Sequence, residues 1–383
     1  MPGLYLHIPF CKQACHYCDF HFSTSMALKS RLVEALTQEL ALRADYLGPH
    51  FTLETIYFGG GTPSLLTAAE LDQIFTAIHR HFRVAPDAEI TLEANPDDLT
   101  AAKVRELAAS PINRLSIGLQ SFHEPHLQLM NRAHSATEST AAVQLAQEAG
   151  FENISVDLIY GVPAPDHSLW EQDLAQAFAL QVPHLSCYAL TVEPDTVFGR
   201  QLKKGAFRPP PDEFVARQFE MLLTEITSHG YEQYEISNFC QPGRESRHNS
   251  AYWRGVPYLG LGPSAHSFDG VSRQHTLANN PKYVASVLER AEVPATIELL
   301  SPTDRANEYL MTSLRTSQGT DLRHLSTNLG VDLLGHRADY LTYLQLNGWA
   351  TLSADEVLTL TDKGKLLADQ ITLELFQITD FSD

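Results

Sequence analysis

Residues 3–18 read Gly-Leu-Tyr-Leu-His-Ile-Pro-Phe-Cys-Lys-Gln-Ala-Cys-His-Tyr-Cys, a β-rich run followed at once by three cysteines. The run at 4–8 has the length and the residue types of a buried strand. The cysteines follow it as Cys11, Cys15 and Cys18. The sequence therefore predicts a thiol-rich loop directly after the first strand.

Strand-like and helix-like segments alternate over the first 240 residues. The candidate strands are 3–8, 54–58, 89–94, 113–118, 153–159, 184–190 and 233–237. The candidate helices are 28–47, 67–82, 100–109, 136–149, 168–180 and 212–229. Six strand–helix units predict an α/β fold with a parallel sheet covered by helices. The sheet is then either an open doubly wound sheet or a full or partial barrel.

The composition changes after this alternating region. Residues 241–300 are rich in glycine and proline, which predicts a turn-rich connecting segment. From 301 to 383 the pattern is helical again, with a hairpin at 348–360 and a helix capped by Thr361, and this order predicts a small helical, winged-helix-like domain. That domain holds 6 Lys and Arg against 12 Asp and Glu, which favours packing or partner contact over DNA binding.

Charge and hydropathy exclude several classes of protein. The chain of 383 residues has a formal net charge of −19, so nucleic acid is not an expected partner. No run of 18 apolar residues is present, and the apolar stretch 4–10 is short and contains His7 and Pro9. Neither a membrane span nor a secretory signal is predicted, and we expect a cytoplasmic protein.

In the reducing cytosol, clustered thiols hold metal more often than they form disulfides. Three thiolates within eight residues can wrap an iron–sulfur cluster. The alternative is a closed zinc site, for which His16 or His21 would supply the fourth ligand. The other two cysteines, Cys187 and Cys240, lie on or beside candidate strands and are predicted to be buried.

The CxxxCxxC loop after the first strand of an αβ repeat resembles the radical S-adenosylmethionine (SAM) superfamily. The resemblance implies that three thiolates hold a [4Fe–4S] cluster and leave one iron open for the amine and carboxylate of SAM. It also makes SAM cleavage an expected reaction. Together with the six strand–helix units, it implies a partial (β/α)6 radical SAM barrel over residues 1–240.

Polar residues lie where later strands end, which is where ligand sites gather in such folds. The glycine-rich stretch 58–63 follows the second strand, and its backbone can approach a ligand closely. Glu93 ends the third strand, where a carboxylate can accept hydrogen bonds from ribose hydroxyls. Gln120, Arg132 and Asp157 lie on or after the fourth and fifth strands. Each alone has a structural explanation, and only their joint placement indicates a site.

Four motifs, at 4–11, 58–64, 118–122 and 157–161, resemble the oxygen-independent coproporphyrinogen III dehydrogenase family over nearly the whole chain. The resemblance assigns the cluster to Cys11, Cys15 and Cys18, and the first SAM to Tyr5, Gly60 and Glu93. It assigns a second SAM, in members that bind one, to Tyr17, Gly61, Thr62, Gln120, Arg132 and Asp157.

Three features separate this chain from the dehydrogenase. Phe20 stands where that enzyme has a fourth cysteine, and the first strand begins at about Gly3 without the enzyme's N-terminal extension. Residues 247–253, Arg-His-Asn-Ser-Ala-Tyr-Trp, resemble the HNxxYW motif of a haem-chaperone branch of the family. That motif makes His248 the candidate haem ligand and His266 a second candidate, although both also fit a packing role.

Two functions therefore compete, a haem-binding chaperone and an oxidative decarboxylase of coproporphyrinogen III, with a zinc-stabilised scaffold ranked below them. The chaperone reading implies haem as cargo, haem-dependent membrane or respiratory proteins as recipients through peripheral contact, and dimerisation or haem release controlled by the cluster and SAM. The fold prediction also places the segment 241–300, which carries His248, across or beside the barrel mouth, and this placement would bring haem near the cluster.

Overall fold

The computed structural model describes residues 2–48 and 51–377. Six parallel strands with helices between them form its N-terminal part. They are hydrogen-bonded in chain order, and the first pair runs in register from Gly3 beside Thr55 to Ile8 beside Gly60. This arrangement confirms the predicted partial (β/α)6 barrel. The strands are β1 (Gly3–Ile8), β2 (Thr52–Gly60), β3 (Arg83–Ala94), β4 (Arg114–Gln120), β5 (Asn153–Tyr160) and β6 (His184–Ala189).

The helices of this part begin where the sequence places capping residues. Thr67 and Glu70 form the predicted capping box, and Thr100 accepts a hydrogen bond from the amide of Lys103. Two short helices, α4 and α7 below, were not predicted. The helices are α1 (Lys29–Leu42), α2 (Ala68–His81), α3 (Ala101–Ala108), α4 (Glu124–Leu129), α5 (Ala136–Glu148), α6 (Ser168–Ala179), α7 (Val197–Lys203) and α8 (Asp212–Ser228).

The same sheet continues beyond both edges of the barrel. Its order is β12-β11-β10-β9-β1-β2-β3-β4-β5-β6-β8-β7, in which β9 is parallel to β1 and β10 to β12 are antiparallel. Strand β7 overlaps the candidate strand 233–237, whereas β8 to β12 were not predicted because glycine and proline interrupt the period between them. The additional elements are β7 (Glu232–Glu235), β8 (Asn238–Cys240), α9 (Arg247–Trp253), β9 (Tyr258–Leu261), β10 (His266–Phe268), β11 (Ser272–Thr276), α10 (Asn280–Arg290) and β12 (Ala295–Leu299).

The C-terminal part packs around a hydrophobic core of its own, with Leu310, Leu325 and Leu344 fully buried. Its three-stranded sheet has the order β13-β15-β14, and the antiparallel pair of β14 and β15 is the hairpin predicted at 348–360. The elements are α11 (Pro302–Ser313), β13 (Thr320–Asp321), α12 (Leu322–Leu329), α13 (Leu333–His336), α14 (Ala338–Leu346), β14 (Ala350–Leu352), β15 (Val357–Leu360), α15 (Asp362–Lys365) and α16 (Ala368–Leu375).

The barrel strands alternate between apolar and polar side chains. On β1, Leu4, Leu6 and Ile8 are fully buried in the hydrophobic core. Because strand side chains alternate between the two faces, Tyr5 and His7 share the opposite, inner face. The interior is therefore polar, and it can carry a site. Within the described ranges, no helix is both long enough and apolar enough to cross a membrane.

Candidate functional site

The cysteine loop is held against the glycine-rich turn that follows β2. The amides of Gly61 and Thr62 donate to the carbonyls of Ile8 (3.1 Å) and Phe10 (2.7 Å). A Cβ on Gly61 would lie only 2.6 Å from the carbonyl oxygen of Ile8. Only glycine fits this close approach, so the turn fixes the start of the loop that carries Cys11.

The three loop cysteines are free and half-buried. In the part of the chain that the structure describes, no three His, Cys, Asp or Glu side chains converge tightly enough to hold one metal ion. Both histidines considered as a fourth zinc ligand have other partners: His16 Nδ1 lies 2.9 Å from the carbonyl of Leu129, and His21 Nε2 lies 2.7 Å from Asn280 Oδ1. A cluster binds each thiolate on a different iron, so the thiols need not converge on one point. The donor set thus fits an iron–sulfur cluster better than zinc.

Arg132 ties the cysteine loop to the barrel. One Nη donates to Cys15 Sγ and to the hydroxyl of Tyr17, each at 3.3 Å. The other donates to Asn95 Oδ1 (2.7 Å) and to the carbonyl of Gly118 (2.8 Å). Burial opposes the charge, but Tyr17 and Cys15 raise the pKa of Arg132 above its usual value. The buried Nε has no hydrogen-bond partner among the described residues. A permanent cation therefore lies within hydrogen-bonding distance of Cys15, although burial raises the pKa of the Cys11 and Cys18 thiols.

Glu93 lies at the end of β3, as the sequence predicts, and is held by two donors. The hydroxyl of Tyr57 donates to Oε1 (2.7 Å), and the amide of Gly60 donates to Oε2 (3.2 Å). Burial, together with a smaller effect of the Asp157 charge, raises the pKa of Glu93 to about 7, although the two hydrogen bonds oppose this rise. This carboxyl is therefore poised to accept hydrogen bonds from a polar ligand and to lose its proton when it does.

Three further predicted positions lie on β1, β4 and β5. Asp157 accepts from the hydroxyl of Ser116 (3.3 Å), and burial raises its pKa to about 6. Tyr5 shares a hydrogen bond with His7 Nδ1 (3.1 Å), and burial raises the pKa of its phenol. Gln120 adopts a φ of 68°, a strained conformation for a residue with a side chain. Such strain is often found at functional sites.

Residues that the sequence analysis overlooked complete the site. Asn95 donates to Thr62 Oγ1 (3.2 Å) and accepts from Arg132, so it joins the glycine-rich turn to the cysteine loop. Tyr57 holds Glu93, and Arg114 places an almost fully buried charge inside the barrel. The sequence offered a signal for Asn95: it directly follows β3 and lies two residues after Glu93, so the two-residue period of a strand places both side chains on the same face.

His248 lies far from the cysteine loop. It contacts the start of β1, where a Cβ on Gly3 would lie 3.1 Å from its ring, whereas the cysteines follow the other end of that strand. The amides of Arg247 and His248 donate to the carboxylate of Glu89, which fixes the start of α9 against β3. The expectation that His248 lies at the barrel mouth is therefore wrong.

The side chain of His248 is 2% exposed and fully hydrogen-bonded. Its Nδ1 lies 2.7 Å from Thr55 Oγ1, and its Nε2 lies 2.8 Å from the hydroxyl of Tyr252. The ring also stacks on Tyr57, with centroids 4.9 Å apart. Neither nitrogen is available to haem iron in this conformation. This is a correction to the haem-ligand expectation for His248, which here positions Tyr252.

Replacing His248 with glutamine should make the protein less sensitive to acid. Burial lowers the pKa of His248 to about 3, so between pH 3 and 6.5 the unfolded chain binds a proton that the folded chain does not. The stability that this histidine contributes is present above pH 6.5 and falls as the pH decreases. At pH 5 the contribution of His248 to the free energy of unfolding is about 2 kcal/mol smaller than above pH 6.5.

Urea unfolding of cluster-free protein at pH 8 and pH 5 measures this effect. The difference in unfolding free energy between the two pH values should shrink by about 2 kcal/mol in the His248→Gln variant. The matched control is His79→Gln on the exposed face of α2, which should retain the wild-type difference. An unchanged difference in His248→Gln would mean that His248 is not buried as a neutral ring.

Known proteins resemble this chain over most of its length. A family model described as the Radical SAM superfamily matches residues 5–172, and one described as the HemN C-terminal domain matches residues 300–367. A protein named heme chaperone HemW from Bacillus subtilis (strain 168) is 34% identical over 374 residues, covering 97% of this chain and 98% of the relative. The heme chaperone HemW of Escherichia coli (strain K12) is 34% identical over 396 residues, covering 98% and 97%.

A solved structure shares the fold. It is described as coproporphyrinogen III oxidase (HemN) from Escherichia coli, a radical SAM enzyme, and it aligns with a TM-score of 0.83. The alignment covers 97% of this chain and 89% of that one at 24% sequence identity. At this identity the likeness shows the fold alone, a radical SAM barrel followed by a C-terminal helical domain.

Proposed function

Because the chain belongs to the HemW family of heme chaperones, a branch of the radical SAM proteins, we propose that it is a haem-binding chaperone on a [4Fe–4S] scaffold that delivers haem to haem-dependent proteins. One observation carries this choice over decarboxylation. Phe20 occupies the position of the dehydrogenase's fourth cysteine, and its ring is 66% exposed beside the cysteine loop. An exposed apolar ring offers contact to a flat apolar ligand and no thiol chemistry.

Cys11, Cys15 and Cys18 are proposed to hold the cluster, and Tyr5, Gly60 and Glu93 to bind SAM. When bound, the cluster and SAM supply one-electron chemistry. The loop geometry, the neighbouring Arg132 cation and its unpartnered Nε support the cluster assignment. The Gly60 amide and the Tyr57 hydroxyl hold the carboxyl of Glu93 in place, which supports a role for Glu93 in ligand binding.

The second set of SAM positions has a structural role as well. Tyr17 receives a hydrogen bond from Arg132, and the amides of Gly61 and Thr62 bind the backbone that precedes Cys11. Gln120 and Asp157 belong to the same proposed set. We propose that the contacts within this set hold the cysteine loop in place, so that SAM binding and loop position are coupled.

The proposed recipients are membrane or respiratory haem proteins, reached from the cytoplasm through peripheral contact between folded surfaces. An acidic surface disfavours adsorption to anionic lipid, which supports protein-mediated contact. A homodimer whose formation depends on the cluster and SAM is part of the same proposal. Nucleic acid has no role in it.

Oxidative decarboxylation of coproporphyrinogen III is the second candidate. The observation that favours it is the near-complete set of SAM positions around Glu93, which a simple carrier does not require. Release of SAM-derived products together with protoporphyrinogen would be its signature.

The deciding experiment treats anaerobically reconstituted protein in two ways. Titration with hemin should give about one haem per chain, and the loaded protein should pass haem to a haem-depleted respiratory enzyme. Incubation with coproporphyrinogen III, SAM and a reductant should give no protoporphyrinogen. Absence of haem uptake would overturn the chaperone proposal, and formation of protoporphyrinogen would establish the enzyme instead.

A further inference from the structure

A large cleft separates the β9–β11 edge of the sheet from α11 and α12 of the C-terminal part. Its volume is about 670 Å³, within the range of small-molecule sites. We call it the interdomain cleft. It reaches the SAM-site residue Tyr5 and the exposed ring of Phe20, so it opens toward the cysteine loop. Its aromatic walls come from Trp253, Tyr258 and Phe268, which offer flat apolar surface.

The interdomain cleft is positively charged within an acidic protein. Arg254, Arg273 and Arg305 line it, and the one lining acid is Glu308. Arg273 pairs with Glu308 at 2.8 Å. Arg254 and Arg305 have no ion-pair partner among the described residues, although the net charge of the chain is −19. Two unneutralised guanidinium groups match a ligand with two carboxylates.

Buried donors in the same walls have no partners. Trp253 Nε1, Arg273 Nε and Arg305 Nε are shielded from solvent and have no hydrogen-bond acceptor within the described part of the chain. Buried polar groups of proteins are normally hydrogen-bonded, and each exception requires an explanation. Three exceptions in one cleft indicate a missing ligand that brings acceptors.

Three histidines line the cleft, and their contacts distinguish them. His7 uses both nitrogens, with Tyr5 and with the carbonyl of His21. His324 Nδ1 lies 3.1 Å from Asn328 Nδ2. His266, the first residue of β10, is exposed and makes no side-chain hydrogen bond to any residue that the structure describes. A neutral imidazole with free nitrogens is a ligand for haem iron.

We propose that the interdomain cleft binds the haem cargo, with the imidazole of His266 as an axial iron ligand and with Arg254 and Arg305 pairing with the two propionates. This inference rests on the proposed chaperone function and locates its cargo. It gives the aromatic residues of the HNxxYW motif a contact role, because Tyr252 and Trp253 line the cleft while His248 holds Tyr252 from behind.

Titration of hemin and of iron-free protoporphyrin IX into the reconstituted full-length chain separates the bond to iron from the ion pairs with the propionates. His266→Ala should move the Soret band of bound hemin and weaken hemin binding by about 10-fold or more, while protoporphyrin IX binding changes little. Added imidazole should restore the wild-type band. Arg305→Gln should weaken hemin and protoporphyrin IX alike by about 10- to 100-fold, the effect of one lost charge-assisted hydrogen bond.

Two controls match these variants. His275 is the cross-strand neighbour of His266 but does not line the cleft, and His275→Ala is the control for His266→Ala. Arg217→Gln, which removes an exposed arginine of α8, is the control for Arg305→Gln. Both should bind hemin as the wild type does, and thermal unfolding should show that all variants fold. His248→Ala is not an affinity control, because it releases the cleft residue Tyr252, but it should keep the wild-type band position because it removes no iron ligand.

The outcomes separate this inference from the function beneath it. Wild-type protein that takes up no hemin would overturn both. Wild-type protein that takes up hemin, with His266→Ala unchanged in band position and affinity, would overturn the cleft assignment and leave the chaperone function in place. Loss of the wild-type band in His248→Ala but not in His266→Ala would overturn it equally.

Discussion

Serine replacement of Cys11, Cys15 and Cys18 should abolish the iron and acid-labile sulfide that the reconstituted wild-type chain carries. Each thiolate is expected to bind one iron of the cluster, and a hydroxyl does not replace a thiolate as a soft ligand. Altering a group that only supports a metal ligand typically lowers metal affinity by about 10- to 100-fold, and loss of a direct ligand should lower cluster binding by more than this. Each single variant should also fail to hold an intact cluster.

The matched controls are Cys187→Ala and Cys240→Ala. Both cysteines are about 1% exposed, and Cys187 lies in the hydrophobic core. Their removal should leave iron and sulfide at the wild-type level, at a modest cost in stability. Elemental analysis after anaerobic purification gives the readout. A triple serine variant that retains iron and sulfide, or a wild-type chain that carries only zinc, would contradict the cluster assignment.

Replacing Glu39 with alanine should lower the free energy of unfolding by about 3–5 kcal/mol, the cost of breaking a buried ion pair from one side. Glu39 is fully buried, and Arg43 Nη1 lies 3.4 Å from its Oε1. The carboxylate also accepts from the hydroxyl of Tyr283 (2.6 Å) and from the amide of Gly262 (2.9 Å). The variant leaves Arg43 without its buried counter-charge, and it leaves the Tyr283 hydroxyl and the Gly262 amide without their acceptor.

This network matters for the proposed haem site because it anchors the sheet extension, strands β9 to β12, and β10 of that extension carries His266. Arg43 also donates to the carbonyl of Gly260 and to the side chains of Ser267 and Gln274, on β9, β10 and β11. Loosening it should therefore weaken hemin binding as well as stability.

Chemical unfolding of the variants provides the test. Glu220→Ala, which removes an exposed partner of Arg217 on α8, is the control and should change the free energy of unfolding by less than about 1 kcal/mol. Replacing Glu39 and Arg43 together with methionine should recover part of the loss, because no unpaired charge then remains. A Glu39→Ala variant as stable as Glu220→Ala would show that the buried pair does not hold the extension.

Most of the barrel was predictable from the sequence because its signals are local. The alternation of apolar and polar residues and the capping box at Thr67 and Glu70 depend on neighbours a few residues apart. The extension β9 to β12 was not predictable in this way. Its strands are held by distant partners such as β1 and Arg43, and no period in residues 241–300 reveals them.

The site shows the same division. The positions of Glu93 at the end of β3 and of Asp157 within β5 were predictable because the strand pattern is local. The Glu39–Arg43 pair resembles an ordinary exposed i, i+4 pair in the sequence, and only the packing of Tyr283 and Gly262 against α1 makes it buried. His248 was misplaced for a related reason, since a motif names residue types but does not say which end of a barrel a short helix covers.

The most direct test of the whole account is the electron paramagnetic resonance spectrum of the reduced, reconstituted chain with and without SAM. We expect the signal of one reduced [4Fe–4S] cluster that changes shape when SAM is added, because SAM would occupy the iron that the proposed ligands Cys11, Cys15 and Cys18 would leave open. The absence of such a signal, or a signal that SAM leaves unchanged, would contradict it.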